Sequence, residues 1–179
     1  AGTLTNAAVN LLLQSGDQSN VGYGPANVTA TLNAVGPLGL SNTASTVNEG
    51  VANAQHYLVA NPSGGVAVAS GGTYTYQIKV AAGTARYLGV AISSGANYPY
   101  IIVDTTTWTI TDTGAIGSGV YASSSISGNA NGFRTISITG SITAIALYYP
   151  IVWITNASTD SAVPTYVGTS RTLITADWQ

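Results

Sequence analysis

Cysteine is absent from the 179 residues, so neither a disulfide framework nor thiolate chemistry is open to this chain. Its fold must stand on packing and backbone hydrogen bonds. Charge is almost as scarce, with four basic and six acidic side chains and a net charge of −2, where an ordinary domain carries about a quarter charged residues. No basic patch is left to meet a phosphate backbone, which argues against nucleic acid as a partner. With one histidine and no cysteine, zinc ligation is not expected. Long apolar runs are missing as well. Ile142 to Ile154 is interrupted by Thr143 and by Tyr148-Tyr149-Pro150, read as a turn, and falls short of the roughly 20 apolar residues a membrane helix needs. No membrane insertion is expected. The opening Ala1-Gly2-Thr3 has neither a charged n-region nor a hydrophobic h-region, so no signal peptide is expected; Ala1 fits removal of an initiator Met or of a leader.

What fills the chain instead is Ser, Thr, Asn, Gly, Ala and Tyr, a surface suited to life in an assembly. The length allows one sizeable core, and residues 1–179 are read as a single β-sandwich domain, with 1–8 as an N-terminal arm and 151–179 as an assembly segment. β-Branched and aromatic runs recur between Gly, Pro, Asn and Ser clusters at roughly eight to twelve residues, the spacing of a sandwich or barrel. Thr73 to Val80 alternates cleanly and puts Tyr74, Tyr76, Ile78 and Val80 on one face. Similar patterns predict strands at Val28–Val35, His56–Ala60, Tyr87–Ile92, Ile101–Asp104, Trp108–Thr111, Tyr121–Ile126, Phe133–Thr139, Ile142–Tyr148 and Val163–Val167. Thr5–Gln14 is the best helical window, but Val9–Gln14 is preferred as a buried opening strand. Pro62-Ser63-Gly64-Gly65, Ser70-Gly71-Gly72, Ala82-Gly83, Ser93-Ser94-Gly95 and Asn129-Ala130-Asn131-Gly132 read as turns supplying positive φ.

Catalytic inventory is thin. A Ser/His/Asp site needs a base beside its hydroxyl, and the lone His56 sits in a strand with no G-x-S-x-G elbow to receive it. It reads as a structural histidine satisfied by backbone. Glycoside hydrolysis needs two facing carboxylates, and Asp17, Glu49, Asp104, Asp112, Asp160 and Asp177 are too sparse to cluster. Asp104 and Asp112 are placed at opposite ends of a Thr105–Thr111 strand and its turn. Arg86 and Arg134 begin strands and are expected to pair with Asp104 or Asp112. The chain is therefore not expected to be an enzyme. No cofactor is expected either; a calcium ion would draw on Glu49 near Asn48 and Asn53, or on Asp177.

Eleven Tyr and three Trp against one Phe favour rings with a polar handle, which suit wet contact surfaces. A sugar presents an apolar C–H face to such rings and its hydroxyls to amides and hydroxyls. Two clusters fit that design: Asn97 with Tyr98 and Tyr100, and Tyr148 with Tyr149 and Trp153.

The order of segments carries a resemblance. Asn10 to Ser15, Gly36-Pro37-Leu38-Gly39 followed by Asn42 to Thr46 and Glu49, His56, Tyr74 to Leu88 with its Ala82-Gly83 turn and Arg86-Tyr87-Leu88, Val103-Asp104, and Gly132 to Ile138 occur in order. In this the chain resembles the carbohydrate-binding-module-like jelly-roll domains of phage and prophage virion proteins, including tail fibres and the head spikes of phage-like gene transfer agents. The resemblance covers about Asn10 to Tyr149. It departs at Leu38, where the family usually has an acidic residue, at Phe133, where it has Trp, and in Ala176-Asp177-Trp178-Gln179, which only loosely follows the closing strand. The resemblance implies an antiparallel two-sheet jelly roll on a virion surface, outside the cell, displaying a glycan-recognition face. The expected partners are cell-surface polysaccharide, other virion subunits and further copies of the chain. A purely structural capsid-decorating or filament-forming subunit is the competing expectation.

Overall fold

The computed structural model describes residues 17–19, 23–60, 66–67, 71–128, 130–143, 147–160 and 163–178. The 1–8 arm, the Val9–Gln14 window and the Pro62–Gly65 turn lie outside the described residues. Among the described residues every regular element is a strand: β1 (Tyr23–Ala26), β2 (Val28–Ala34), β3 (Ala44–Glu49), β4 (Asn53–Ala54), β5 (Tyr57–Ala60), β6 (Val66–Ala67), β7 (Thr73–Ala82), β8 (Tyr87–Ser93), β9 (Tyr98–Asp104), β10 (Thr109–Ile116), β11 (Gly119–Gly128), β12 (Phe133–Ile142), β13 (Leu147–Thr155), β14 (Tyr166–Val167) and β15 (Thr172–Ala176). No helix among the described residues is long and apolar enough to cross a membrane.

One sheet runs β1-β5-β13-β8-β9-β10, with β6 pairing the start of β13, and the other runs β11-β12-β7-β15-β3-β2. The pairings are antiparallel and nested like a rolled hairpin: β8 with β9 innermost, then β7 with β12, β5 with β13, and β3 with β15. That nesting gives β5-β13-β8-β9 against β3-β15-β7-β12, the connectivity of a jelly roll. The expected all-β sandwich is thus the observed one. Tyr76, Ile78 and Val80 of β7, with Tyr74 beside them, do share one face, which packs on Leu88, Val90 and Ile101 of the opposite sheet. Trp178, fully buried, closes the core edge-on to Tyr23 at 5.1 Å between ring centroids. The 151–179 segment supplies most of β13 to one sheet and β15 to the other, so it is built into the fold itself.

Several expected boundaries shift. Ile142–Tyr148 is not one strand: Ile142 ends β12 in one sheet and Leu147 begins β13 in the other. Tyr148-Tyr149-Pro150 is not a turn but the start of β13, with Tyr149 opposite Ser93 and Pro150 opposite Ile92. Proline is tolerated there because β6 pairs only Leu147 and Tyr148 and β5 only Ile151 to Trp153, so Pro150 falls between two partial ladders. Thr105–Trp108 is the turn between β9 and β10, with Trp108 at φ 55°, so no strand spans Thr105–Thr111 and β10 starts at Thr109. Of Val163–Val167 only Tyr166 and Val167 pair, with Ala54 and Asn53. The Asn131-Gly132 turn does take positive φ, 56° and 78°. Gly83 does not; it is needed because a Cβ there would overlap the Thr172 carbonyl.

Candidate functional site

Strand β8 reads Leu88-Gly89-Val90-Ala91-Ile92-Ser93, large residues alternating with small ones. Successive strand residues face opposite ways, so Leu88, Val90 and Ile92 enter the inter-sheet core and leave Gly89, Ala91 and Ser93 on the outer face. The flanking strands do the reverse. On that same face β13 presents Ile151 and Trp153, β9 presents Tyr98, Tyr100 and Ile102, and β5 presents Tyr57 and Val59. A file of small residues between files of large ones makes a trough. Register sets Trp153 against Gly89, Ile151 against Ala91 and Tyr149 against Ser93. Trp153 fills its end by lying over Gly89, and Tyr100 covers Gly114 of β10 in the same way.

At the Ser93 end the trough opens into a cleft of about 520 Å3 walled by Tyr57, Tyr98 and Tyr149, with Gln55 and Ser93 as polar members and Val163 at its rim. Ser158 and Val163, which follow β13 in sequence, bound this face. Ser158 O accepts from Thr111 Oγ1 at 2.7 Å, Val163 O accepts from Gln55 Nε2 at 2.8 Å, and the Val163 backbone hydrogen-bonds the Tyr98 hydroxyl. Burial pushes the Tyr98 and Tyr100 phenols up, and Asp112, whose Oδ2 lies 3.4 Å from the Tyr100 hydroxyl, acts on Tyr100 in the same direction. These rings therefore stay neutral and act as flat apolar surfaces with a hydrogen-bonding tip.

The six residues expected to bind sugar are only partly gathered here. Tyr98 and Tyr149 wall the cleft; Tyr100 and Trp153 pack on the same face beside it. Asn97 instead shapes a turn, its Oδ1 accepting from Ser118 N–H at 2.9 Å. Tyr148 points into the core, 2% exposed, its hydroxyl accepting from Ile142 N–H at 2.8 Å and donating to Ile142 O at 2.9 Å. Because Tyr148 and Tyr149 lie in a strand, adjacent side chains part to opposite faces. Tyr57, Gln55 and Ser93 were not anticipated. Of these only Ser93 had a local signal, the small-residue alternation Gly89, Ala91, Ser93 in the sequence of β8.

Several polar residues elsewhere hold the fold. Glu49, its side chain fully buried, is clamped by Arg171 (Nε to Oε2 3.0 Å, Nη2 to Oε1 2.6 Å), by Thr169 N–H at 2.8 Å and by a short bond from the Tyr166 hydroxyl. Burial works against its charge, but these donors outweigh burial and bring the carboxyl down to about 2. His56 is fully buried with Nδ1 3.0 Å from Asn27 O and Nε2 3.2 Å from Tyr166 O, the backbone-held role expected of it. Arg86 pairs with Asp104 at 3.0 Å, as anticipated, whereas Arg134 stands over the Trp108 ring at 5.7 Å. Of the residues considered for calcium, Glu49 is held as above and Asp177 pairs with Lys79 at 2.7 Å. Among the described residues no three His, Asp or Glu side chains gather as a metal site. No protein-family model matches this chain, and no curated protein matches it either.

Proposed function

We propose that the chain is a virion surface protein, a head spike, fibre or tail component, whose jelly roll binds host cell-surface polysaccharide through the tyrosine cleft. The observation that carries this reading is the cleft on the outer face of the β8 sheet, where Tyr57, Tyr98 and Tyr149 stand around Gln55 and Ser93. Ring faces of that kind stack on the C–H faces of sugars while amide and hydroxyl groups meet their hydroxyls. Single sites of low affinity gain avidity when many copies are linked on one particle. Binding of the protein to capsulated but not to acapsular cells is the expected result. Equal binding to both, together with a blank glycan array, removes the recognition claim.

A structural, capsid-decorating or filament-forming role has its own support in the β2–β3 loop, where Val35, Leu38 and Leu40 are 51, 82 and 58% exposed. Apolar side chains clustered on a charge-poor surface favour burial between copies or against another virion subunit. Sedimentation of the protein at rising concentration tests it. A homo-oligomer that Leu38→Asp dissociates supports this second reading, and a dilute monomer at all concentrations counts against it.

A further inference from the structure

Resting on the reading of the tyrosine cleft as the saccharide site, we infer that its ligand is an electrically neutral stretch of polysaccharide, of hexose or N-acetylhexosamine units, and that uronate-, sialate- and sulfate-bearing glycans are refused. An anion leaving water for a protein surface needs a cation or several converging N–H donors to replace its hydration. Among the described residues bordering the cleft none is charged. The basic side chains lie elsewhere: three are ion-paired, and Arg134 belongs to β12 of the other sheet. The chain has four in all: Lys79 lies 2.7 Å from Asp177, Arg86 3.0 Å from Asp104, Arg171 2.6 Å from Glu49, and Arg134 stands over Trp108.

Arg86 is the one of these that adjoins the cleft's strand, lying just before Tyr87 at the opposite end of β8 from Ser93. Ser93 lies six residue steps along the strand from Tyr87, about 20 Å, well past the roughly 8 Å over which exposed charges act at physiological salt. The charge nearer the cleft has the wrong sign for an anion. Asp112 touches Tyr100, whose ring is 6.4 Å from that of Tyr98, and Asp160 acts on Tyr100 in the same sense. A neutral sugar meets none of this opposition. Its C–H face lies on Tyr149 or Tyr98, and its hydroxyl or acetamido groups reach Gln55 and Ser93.

The test is a glycan array carrying neutral and anionic polysaccharide fragments, probed with the full chain and with Tyr149→Ala and Ala96→Trp. Ala96 is exposed in the turn after β8 and borders the cleft, so Ala96→Trp fills the cleft without entering the core even if Tyr149→Ala proves unstable. The expected result is binding to neutral fragments, unchanged between low and high salt, and weakened about tenfold or more by either folded variant. Preferential binding of anionic fragments that either variant abolishes overturns the inference while leaving the cleft as the saccharide site. Absence of binding to every fragment, or binding that neither folded variant weakens, overturns the site reading and the inference together.

Discussion

The indole of Trp153 lies flat over Gly89, its cross-strand partner, in the space a Cβ at residue 89 would need. Trp153 is 1% exposed, so a large ring on the outer face of the sheet is held by the absence of a side chain opposite and by its neighbours in a second apolar cluster. The trough leading to the cleft is closed at this end for that reason.

Gly89→Ala is accordingly expected to displace the Trp153 ring and destabilise the fold by about 1–3 kcal/mol, the usual cost of overpacking. Denaturant unfolding of the two proteins measures it. Unaltered stability would mean that the ring does not rest on this glycine.

Acid should act through Glu49. Its folded carboxyl titrates at about 2 against an ordinary value of 4.5, so its contribution is fully present above about pH 4.5 and is lost as pH falls towards 2. Wild-type stability should decline through that window. Glu49→Gln should start lower at pH 6 and show a flatter decline between pH 4.5 and 2, read from unfolding curves at each pH. Parallel declines would place the acid sensitivity elsewhere.

Removing Arg171 should cost more than removing the pair. Arg171→Met leaves the buried Glu49 charge without its bidentate partner, an expected loss of about 3–5 kcal/mol. The Glu49→Gln, Arg171→Met double variant should recover part of that loss in a double-mutant cycle. Additive losses would contradict a coupled pair.

The two adjacent tyrosines of β13 should separate fold from recognition. Tyr148→Phe loses the hydroxyl that bridges Ile142 N–H and C=O in the core and should cost about 1–2 kcal/mol without changing glycan binding. Tyr149→Ala removes the ring from the cleft wall and should weaken glycan binding about tenfold or more. Thermal unfolding and array binding on the same samples check both expectations.

Much of this was legible in the residues. Missing cysteine and scarce charge left packing and backbone pairing as the means of holding the chain together, and the period-two runs, Thr73 to Val80 above all, settled the strand class. Within a strand the period also settles faces, so Leu88-Gly89-Val90-Ala91-Ile92-Ser93 already contained the small outward file that becomes the trough. What the period cannot settle is where a strand starts. Reading Tyr148-Tyr149-Pro150 as a turn therefore merged two tyrosines that β13 sends to opposite faces.

The sequence by itself determined an all-β chain, poor in charge and rich in tyrosine, with a structural histidine. Only the tertiary structure decided which tyrosines share a wall, that Ser93 lies between Tyr149 and the neighbouring β9 strand, and that Val163 returns to the cleft rim 108 residues after Gln55. It also brought Arg171 to Glu49 across 122 residues. The physical reason is that local patterning orients a side chain relative to its own strand, whereas a site or an ion pair depends on which strands become neighbours. In a jelly roll those neighbours lie far apart in sequence, and the burial shared by the whole core selects them.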